Sequence, residues 1–263
     1  MPSHELDEQR LAFGRVAELY ERARPSYPAA AIDGLIGYAS LGPGSRVLEV
    51  GAGTGKGTRL LAERGLIVTA LEPDPAMSAV ARRECAGLEG VGFELSAFES
   101  WEPQAPIEAV VSFQAWHWTE AGTRYERAAR ALGGHGSLAA IWTFPDWAPN
   151  PMRDQLCEIY ANTAPGLAAD FPMHPASEPT RLAGDWENEL AGSPFGGAEV
   201  REYPWPARYG GQEYRALLET HQDHILLAVP QRDRLLAAVA AAVERAGGIQ
   251  LDFVTRLCLA RLA

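Results

Sequence analysis

Short apolar runs alternate with segments of helical periodicity through the first half of the chain, and this alternation constrains the fold more than any other feature. The runs that we predict as strands are residues 45–50, 67–72, 91–96, 107–114 and 137–144. The helices predicted between them are residues 56–65, 74–85 and 123–132. Asp74 and Pro75 provide an N-cap and a first helical residue for the second helix. Strands that alternate with helices of this length form a parallel sheet with helices on both faces.

The pattern changes after the fifth predicted strand. Residues 145–197 are rich in Pro, Gly, Trp and Met, and we predict a small cap insertion there. Residues 198–209 and 249–262 then read as two further strands, with helices between them. We therefore expect one structural domain of the α/β class, a doubly wound and mostly parallel seven-stranded sheet. Its core comprises residues 41–144 and 198–263.

Charge and composition narrow the classes of partner. The formal net charge of −11 disfavours a nucleic-acid partner, because an acidic surface repels phosphate backbones. No apolar run reaches the length of about 18 residues that a membrane helix needs, so we expect no membrane partner. The first twenty residues are polar and charged, which predicts no signal peptide and a cytoplasmic protein. The three cysteines are widely spaced, so we interpret them as reduced and structural.

The first predicted strand runs directly into the glycine-rich segment EVGAGTGKGT. Glycines at 51, 53 and 55 allow a ligand to approach the backbone closely. A P-loop is excluded, because Val50 stands where its first glycine belongs and Gly57 where its Ser or Thr belongs. The dinucleotide pattern G-x-G-x-x-G fits in neither register.

The spacing G-x-G-x-G, with Glu49 two residues before it, resembles motif I of the class I S-adenosylmethionine-dependent methyltransferases. In that family the acidic residue usually helps to hold the amino end of the cofactor. The second strand ends in Glu72, and a carboxylate there suits the two ribose hydroxyls, a geometry that NAD enzymes share. Ser96 stands where the family often has an acidic residue that recognises adenine, which leaves the backbone amide of Ala97 for that contact.

The resemblance implies a Rossmann-like methyltransferase fold with S-adenosylmethionine as cofactor and S-adenosylhomocysteine as product. The cofactor-binding residues that it implies are Tyr20, Arg24, Glu49, Gly51, Ala52, Gly53, Thr54, Gly55, Glu72, Pro73, Met77, Ala97, Phe98, Gln114, Ala115 and Trp116.

Three further segments resemble a bacterial small-molecule group within the type 11 methyltransferase domains. They are FGRVAELYERARPSYP (13–28), QAWHW (114–118) and ALGGHGSLAAIW (131–142). Trans-aconitate methyltransferases are distantly similar in architecture. The resemblance implies that residues 1–40 form a helical lid over the cofactor. Tyr20 and Arg24 would then face the carboxylate end of the cofactor, and Tyr27 would form part of the pocket wall, although Tyr20 equally suits the apolar stripe of a helix.

The segment QAWHWT follows the fourth strand, where ligands of open parallel sheets bind. Gln114 and His117 are therefore the candidate catalytic residues, expected to face the transferable methyl group. His117 could accept a proton from the acceptor, or it could hold the loop by hydrogen bonding. Trp116 and Trp118 could wall an apolar cleft or contact the sulfonium through cation–π interaction, and packing is an equal alternative for Trp118.

The remaining candidates for acceptor binding are aromatic residues and histidines of the second half. Trp142 and Phe144 end the fifth strand, and Trp147 lies in the cap. His221 and His224 stand three residues apart on a predicted helix, a spacing that could present two metal ligands. No third ligand follows from the sequence, so we predict no metal and a place for both histidines in the pocket wall.

These observations predict a methyltransferase that acts on a small-molecule acceptor, most favourably at oxygen, including a carboxylate that would need no base. Methylation at nitrogen or carbon, an NAD(P)-dependent oxidoreductase, an aminopropyl transferase and a catalytically silent cofactor-binding protein are the alternatives. The sequence leaves open whether the protein is a monomer or a homodimer.

Overall fold

A computed structural model describes residues 12–167, 173–175, 177 and 185–263. The strands are β1 (Arg46–Val50), β2 (Ile67–Leu71), β3 (Val91–Glu94), β4 (Ala109–Phe113), β5 (Ser137–Asp146), β6 (Phe195–Tyr209) and β7 (Ile249–Leu262). The helices are α1 (Ala17–Ala23), α2 (Ala29–Ala39), α3 (Lys56–Ala62), α4 (Pro75–Glu84), α5 (Arg124–Leu132), α6 (Arg153–Thr163), α7 (Trp186–Leu190), α8 (Gly211–Glu219), α9 (Gln222–Ile225) and α10 (Val229–Arg245). None of the helices in these described ranges is long and apolar enough to cross a membrane.

The seven strands form one sheet in the order β3-β2-β1-β4-β5-β7-β6. Strands β1 to β5 pair in parallel, and β7 runs antiparallel between β5 and β6. The prediction of a doubly wound, mostly parallel seven-stranded sheet is confirmed. The dinucleotide-binding fold continues its sheet with a sixth parallel strand beside the fifth, so the antiparallel β7 in that place separates the two architectures.

The centre of the sheet is apolar on both faces. In β1 and β4 every residue except Arg46 is buried, as expected for parallel strands covered by helices on both sides. Burying a large aliphatic side chain stabilises the fold by roughly 1.5–3 kcal/mol. Glu49, which is fully buried in β1, is the costly exception to this pattern and lies next to the glycine-rich segment.

The edge strand β6 is long and carries prolines. Pro204 and Pro206 lie in its second half, opposite Val254 and Asp252 of β7. Proline cannot donate a ladder hydrogen bond, so an edge strand is the position in a sheet that tolerates it. Strand β6 pairs with β7 from Ile249 to Leu262, and the sheet ends at β6.

The N-terminal residues contact elements from both halves of the chain. Residues 12–16 form a 3₁₀ turn that contacts α4 and α9, and α1 packs against both α4 and α8. Helix α2 instead packs against β6 and β7. Residues 1–11 of the predicted lid lie outside the described residues, and the lid as a whole stays a prediction.

The described part of the predicted cap contains α6 and α7, and its first and last residues belong to β5 and β6. Leu156 and Tyr160 of α6 are buried in a cluster with residues of α8 and α10. Trp186 of α7 is buried in the cluster behind β4 and β5, where its Nε1 donates to the carbonyl of Leu259 at 2.9 Å. Residues 168–172, 176 and 178–184 lie outside the described residues.

Candidate functional site

A cavity opens at the carboxyl ends of β1, β2 and β4. Three groups of residues line it. The N-terminal group is Phe13, Tyr20, Arg24, Pro25 and Tyr27. The group from the parallel half of the sheet is Val50, Gly51, Ala52, Gly53, Thr54, Lys56, Gly57, Glu72, Pro73, Met77, Ser96, Ala97, Phe98, Glu99, Phe113, Gln114, Ala115, Trp118 and Thr119. The third group is Thr143, Met173, Leu217, His221 and Phe253.

The glycine-rich turn brings the backbone to the cavity. Gly51 has φ +73°, and a Cβ built on it would lie 2.4 Å from the Cβ of Ala115. A Cβ on Gly57 would lie 2.3 Å from Phe113 and 2.5 Å from Oε1 of Glu49. No larger residue fits at either position without a shift of the strand ends, so the close approach of β1, α3 and β4 depends on these glycines.

Glu72 joins the end of β2 to the glycine-rich turn. Its Oε2 accepts a hydrogen bond from the backbone N–H of Gly53 at 2.7 Å, and its Oε1 accepts one from Asp74 N–H at 2.9 Å. Asp74 in turn accepts from the N–H groups of Ala76 and Met77, which confirms it as the N-cap of α4. The carboxylate of Glu72 is therefore fixed in orientation at the cavity wall, and its remaining lone pairs can accept hydroxyl donors.

Glu49 lies beneath the cavity wall rather than on it. Its Oε2 accepts a hydrogen bond from Oγ1 of Thr58 at 2.5 Å, and its Oε1 is buried with no hydrogen-bond partner among the described residues. Burial raises the pKa of Glu49 to about 8, and the negative Glu72 adds to this effect against the hydrogen bond from Thr58. A cationic group near Oε1 would favour the ionised form.

Most of the residues predicted to bind the cofactor line this cavity. They are Tyr20, Arg24, Gly51, Ala52, Gly53, Thr54, Glu72, Pro73, Met77, Ala97, Phe98, Gln114 and Ala115. Glu49, Gly55 and Trp116 do not line it. Gly55 faces Cys85 and Ala81 of α4, and Trp116 packs against Phe98 and Tyr125 in the core, with 1% of its surface exposed.

Gln114 is held in an unusual backbone conformation at the end of β4. Its φ of +57° is left-handed, which a residue other than glycine seldom adopts. Its side chain donates from Nε2 to the carbonyl of Thr143 at 2.7 Å, and its N–H donates to the carbonyl of Ile141 at 2.8 Å. Strained residues of this kind concentrate at functional sites, and the two bonds to β5 fix this one at the cavity wall.

His117 does not line the cavity, although Gln114 and Trp118 on either side of it do. Its Nδ1 accepts a hydrogen bond from Nε1 of Trp142 at 3.1 Å. Desolvation lowers the pKa of His117 to about 4, with a smaller contribution from the nearby Arg124. The neutral ring with an accepting Nδ1 carries its proton on Nε2, so no ring nitrogen offers a lone pair for a substrate proton.

The predicted acceptor-binding residues divide into two sets. Tyr27, Trp118 and His221 line the cavity. The expectation that Trp142, Phe144, Trp147 and His224 do so is not met. Trp142 and Phe144 are two residues apart in β5, so both point into the core on one face, and Thr143 between them faces the cavity.

Trp147 and His224 belong to the packing around the C-terminal helices. Trp147 is buried in the cluster that α6, α8 and α10 form. His224 is fully buried, and its Nε2 lies 2.8 Å from the hydroxyl of Tyr160. Burial lowers the pKa of His224 to about 3. Across the described ranges, no group of His, Cys, Asp and Glu side chains is arranged as a metal site.

His221 occupies the cavity wall in a fixed tautomer. Its Nδ1 lies 2.8 Å from the carbonyl oxygen of Leu217, which only accepts, so Nδ1 carries the proton of the neutral ring. Burial lowers the pKa of His221 well below its ordinary value, and Arg24 and His224 lower it further. His221 is therefore a neutral group in the cavity with its basic nitrogen at Nε2.

Several residues that line the cavity were not predicted from the sequence. Phe13, Pro25, Lys56 and Gly57 belong to segments that were recognised, but no local pattern distinguished them, and Glu99 follows the third predicted strand without any such signal. Met173, Leu217 and Phe253 reach the cavity from the C-terminal half. Only the antiparallel return of β7 beside β5 brings Phe253 there, and short-range periodicity contains no signal for that pairing.

The fold and the glycine-rich site together define a class of protein, and comparisons with known proteins agree. A family model described as "Methyltransferase domain" matches residues 47–136. An uncharacterized methyltransferase from Mycobacterium bovis is 40% identical over 139 residues, which are 52% of this chain and 54% of the relative. The chain thus spans about half the length of the first curated relatives that it matches.

Two solved structures share the fold. A putative type II methyltransferase from Anaeromyxobacter dehalogenans superposes with a TM-score of 0.60 at 22% identity, over 90% of this chain and 97% of that chain. The cyclopropane synthase MmaA2 from Mycobacterium tuberculosis does so with a TM-score of 0.57 at 17% identity, over 96% and 97%. The chain thus contains a region similar to the methyltransferase domain and has the Rossmann-like fold of these solved structures. The narrower resemblance to the type 11 small-molecule group stays a prediction.

Proposed function

We propose that this protein transfers a methyl group from S-adenosylmethionine to an oxygen atom of a small-molecule acceptor. The observation that carries the proposal is the continuity of the cavity. One cavity joins the glycine-rich turn and Glu72 to a largely apolar chamber bounded by Leu217 and Phe253. The wall that begins at the glycine-rich turn and Glu72 continues to Leu217 and Phe253, so a cofactor at the turn and an acceptor in the chamber would lie in one cavity.

The residues of the parallel half of the sheet fit S-adenosylmethionine. Gly51 and Gly57 allow the close packing that brings the turn to the cavity, and the buried Oε1 of Glu49, which lies behind Gly57, has no hydrogen-bond donor among the described residues. Glu72, fixed by Gly53 and Asp74, would accept the ribose hydroxyls. When bound, the cofactor supplies an activated methyl group on a sulfonium.

The other half of the cavity suits an acceptor with an apolar body. Tyr27, Trp118, Met173, Leu217 and Phe253 supply its apolar wall. Aromatic and aliphatic walls with few polar groups are typical of small-molecule sites. The polar groups of this wall would orient the acceptor towards the methyl donor. Orienting the two reactants is the main contribution that a protein makes to an in-line displacement.

We assign His117 a positioning role rather than that of a base. Its hydrogen bond with Trp142 ties the turn after β4 to β5, and this turn carries Gln114 and Trp118 to the cavity. The proton on Nε2 and the lowered pKa of His117 both argue against proton abstraction. A carboxylate acceptor would need no base.

We further propose a cytoplasmic protein, acting on small molecules as a monomer or homodimer. Cys85, Cys157 and Cys258 are free thiols, which suits a reducing compartment. The acidic net charge disfavours a nucleic-acid acceptor. Cell fractionation tests the location, and a protein found only outside the cytoplasm would contradict it.

The test of the proposed function is turnover with methyl-labelled S-adenosylmethionine and a panel of acceptors. The panel contains carboxylic acids, phenols, alcohols and amines with apolar bodies of one or two rings. We expect label transfer to an oxygen acceptor in the native protein, and loss of transfer when Gly51→Ala obstructs the turn. Transfer only to amines or carbon atoms would overturn the choice of oxygen. Cofactor binding without turnover on any class would favour a catalytically silent binding protein.

A further inference from the structure

Arg24 is held in a fixed orientation at the border of the apolar chamber. It follows the last residue of α1, and its Nε donates to Oγ1 of Thr220 at 2.8 Å while Nη2 donates to the carbonyl of Thr220 at 3.0 Å. Thr220 is fully buried and its hydroxyl donates to the carbonyl of Leu217 at 2.6 Å. The guanidinium also lies over the ring of Tyr20, 5.1 Å from its centroid. These contacts immobilise a side chain that is usually flexible.

The two hydrogen bonds to Thr220 use one edge of the guanidinium, and a second edge, which contains Nη1, does not take part in them. Among the described residues, Nη1 of Arg24 donates no hydrogen bond, and Arg24 forms no salt bridge. A guanidinium presents its N–H groups as a planar fork that matches a carboxylate. The edge that contains Nη1 is therefore set up for an anion.

The other charged residues of the cavity wall are already engaged. Lys56 donates to the carbonyl of Glu21 at 2.6 Å and lies 3.4 Å from its carboxylate. Glu72 is bonded to the turn, and Glu99 accepts from the N–H of Glu120 at 2.8 Å. Among the described residues, Arg24 is thus the positively charged residue of the cavity wall that forms no salt bridge with a carboxylate.

Burial makes this arrangement costly unless an anion is bound. Desolvation lowers the pKa of Arg24 from its ordinary value, and a guanidinium nonetheless keeps its charge at neutral pH. The neighbouring His221 and the apolar Leu217 supply no compensating negative charge. A half-buried cation without a counter-ion is stabilised most by a ligand that brings one.

We propose that the acceptor of this methyltransferase is an apolar carboxylic acid whose carboxylate binds Arg24. Its apolar body would fill the chamber bounded by Leu217 and Phe253. This inference rests on the proposed function, and it replaces the expectation that Arg24 faces the carboxylate of the cofactor. The bonds of Arg24 favour the acceptor because they tie it to Thr220 at the end of α8, beside His221, and not to the glycine-rich turn.

The test separates the carboxylate of the cofactor from that of the acceptor by measuring the binding of the two ligands one after the other. Titration calorimetry gives the affinity for S-adenosylhomocysteine, and then, with that ligand saturating, the affinities for 1-naphthoate and 1-naphthamide. The variants are Arg24→Met, Arg24→Lys and Thr220→Val. Arg22→Met is the matched control, since Arg22 lies two residues before Arg24, in α1, and is exposed.

We expect naphthoate to bind at least tenfold more tightly than naphthamide to the native protein and to Arg22→Met. Arg24→Met should remove this preference and change the affinity for S-adenosylhomocysteine less than twofold. Arg24→Lys should keep part of the preference, because a point charge replaces the fork, and Thr220→Val should weaken it because the tether is lost. Thermal unfolding of each variant establishes that it is folded.

Three results would overturn the proposal. Equal binding of the acid and the amide by the native protein would show that no anion is recognised. Loss of S-adenosylhomocysteine affinity in Arg24→Met with naphthoate binding unchanged would assign Arg24 to the cofactor. Arg22→Met behaving as Arg24→Met does would reduce the effect to overall charge. Failure of the native protein to bind S-adenosylhomocysteine would contradict the proposed function itself, whatever the result with naphthoate.

Discussion

The substitution Glu49→Gln tests the electrostatic account of the site through the pH dependence of stability. Burial raises the pKa of Glu49 from 4.5 to about 8, so the folded protein holds this proton more tightly than the unfolded chain does. The stabilising contribution is fully present below the unfolded pKa and is lost as the pH rises through about 8. Glutamine has nearly the same shape and cannot ionise.

The magnitude follows from linkage. With about 1.4 kcal/mol for each pKa unit, the free energy of unfolding of the native protein should fall by about 3.5 kcal/mol more than that of Glu49→Gln between pH 5 and pH 8. Urea unfolding, followed by tryptophan fluorescence at four pH values without added ligand, measures this difference.

Glu108→Gln is the matched control for this experiment. Glu108 accepts hydrogen bonds from the Ser45 hydroxyl and the N–H of Arg46, which lower its pKa, so its contribution is constant between pH 5 and pH 8. This variant should keep the native slope. Equal slopes for the native protein and Glu49→Gln would refute the reasoning, because Glu49 would then titrate as an ordinary exposed carboxyl group does.

Three further predictions concern the packing of the turns. Gly57→Ala should destabilise the fold by about 1–3 kcal/mol and abolish binding of S-adenosylhomocysteine, since its Cβ would collide with Phe113. Gly37→Ala in α2, where an added Cβ meets no other atom, should instead stabilise the fold by about 0.5–1 kcal/mol. Thermal unfolding of the two variants tests this contrast. Trp142→Phe should cost about 1–3 kcal/mol through the lost bond and volume, measured by urea unfolding, and slow turnover if the turn after β4 positions the site. The lowered pKa of His117 predicts a contribution to stability that is present above pH 6.5 and lost as the pH falls through about 4. Between pH 7 and pH 4 the free energy of unfolding of His117→Gln should therefore fall by up to about 3 kcal/mol less than that of the native protein. Equal decreases for the two proteins would contradict this prediction.

Sequence periodicity predicted all seven strands of the sheet because the pattern of each strand is local. The strand at residues 249–262 was predicted with the bounds that β7 has, and Asp74 was recognised as an N-cap. The glycine-rich turn was recognised because its backbone needs depend on a few neighbouring residues. The resemblance to class I methyltransferases rested on the spacing of the glycines in that turn, with Glu49 before it.

The acceptor half was harder to predict because it depends on which face of each element meets the cavity. Alternation along a strand implies that Trp142 and Phe144 share a face, but it does not identify the face, and both point into the core. His221 and His224 are three residues apart on the sequence, yet one lines the cavity and the other bonds Tyr160. The partnership of Arg24 with Thr220 joins residues 196 positions apart, which no local pattern contains.

Titration calorimetry of the native protein with S-adenosylhomocysteine and with NADH tests the central claim most directly. The account predicts saturable one-to-one binding of S-adenosylhomocysteine, its loss in Gly57→Ala, and no heat of binding for NADH. Binding of NADH without binding of S-adenosylhomocysteine would contradict the assignment of the cavity to a methyl donor.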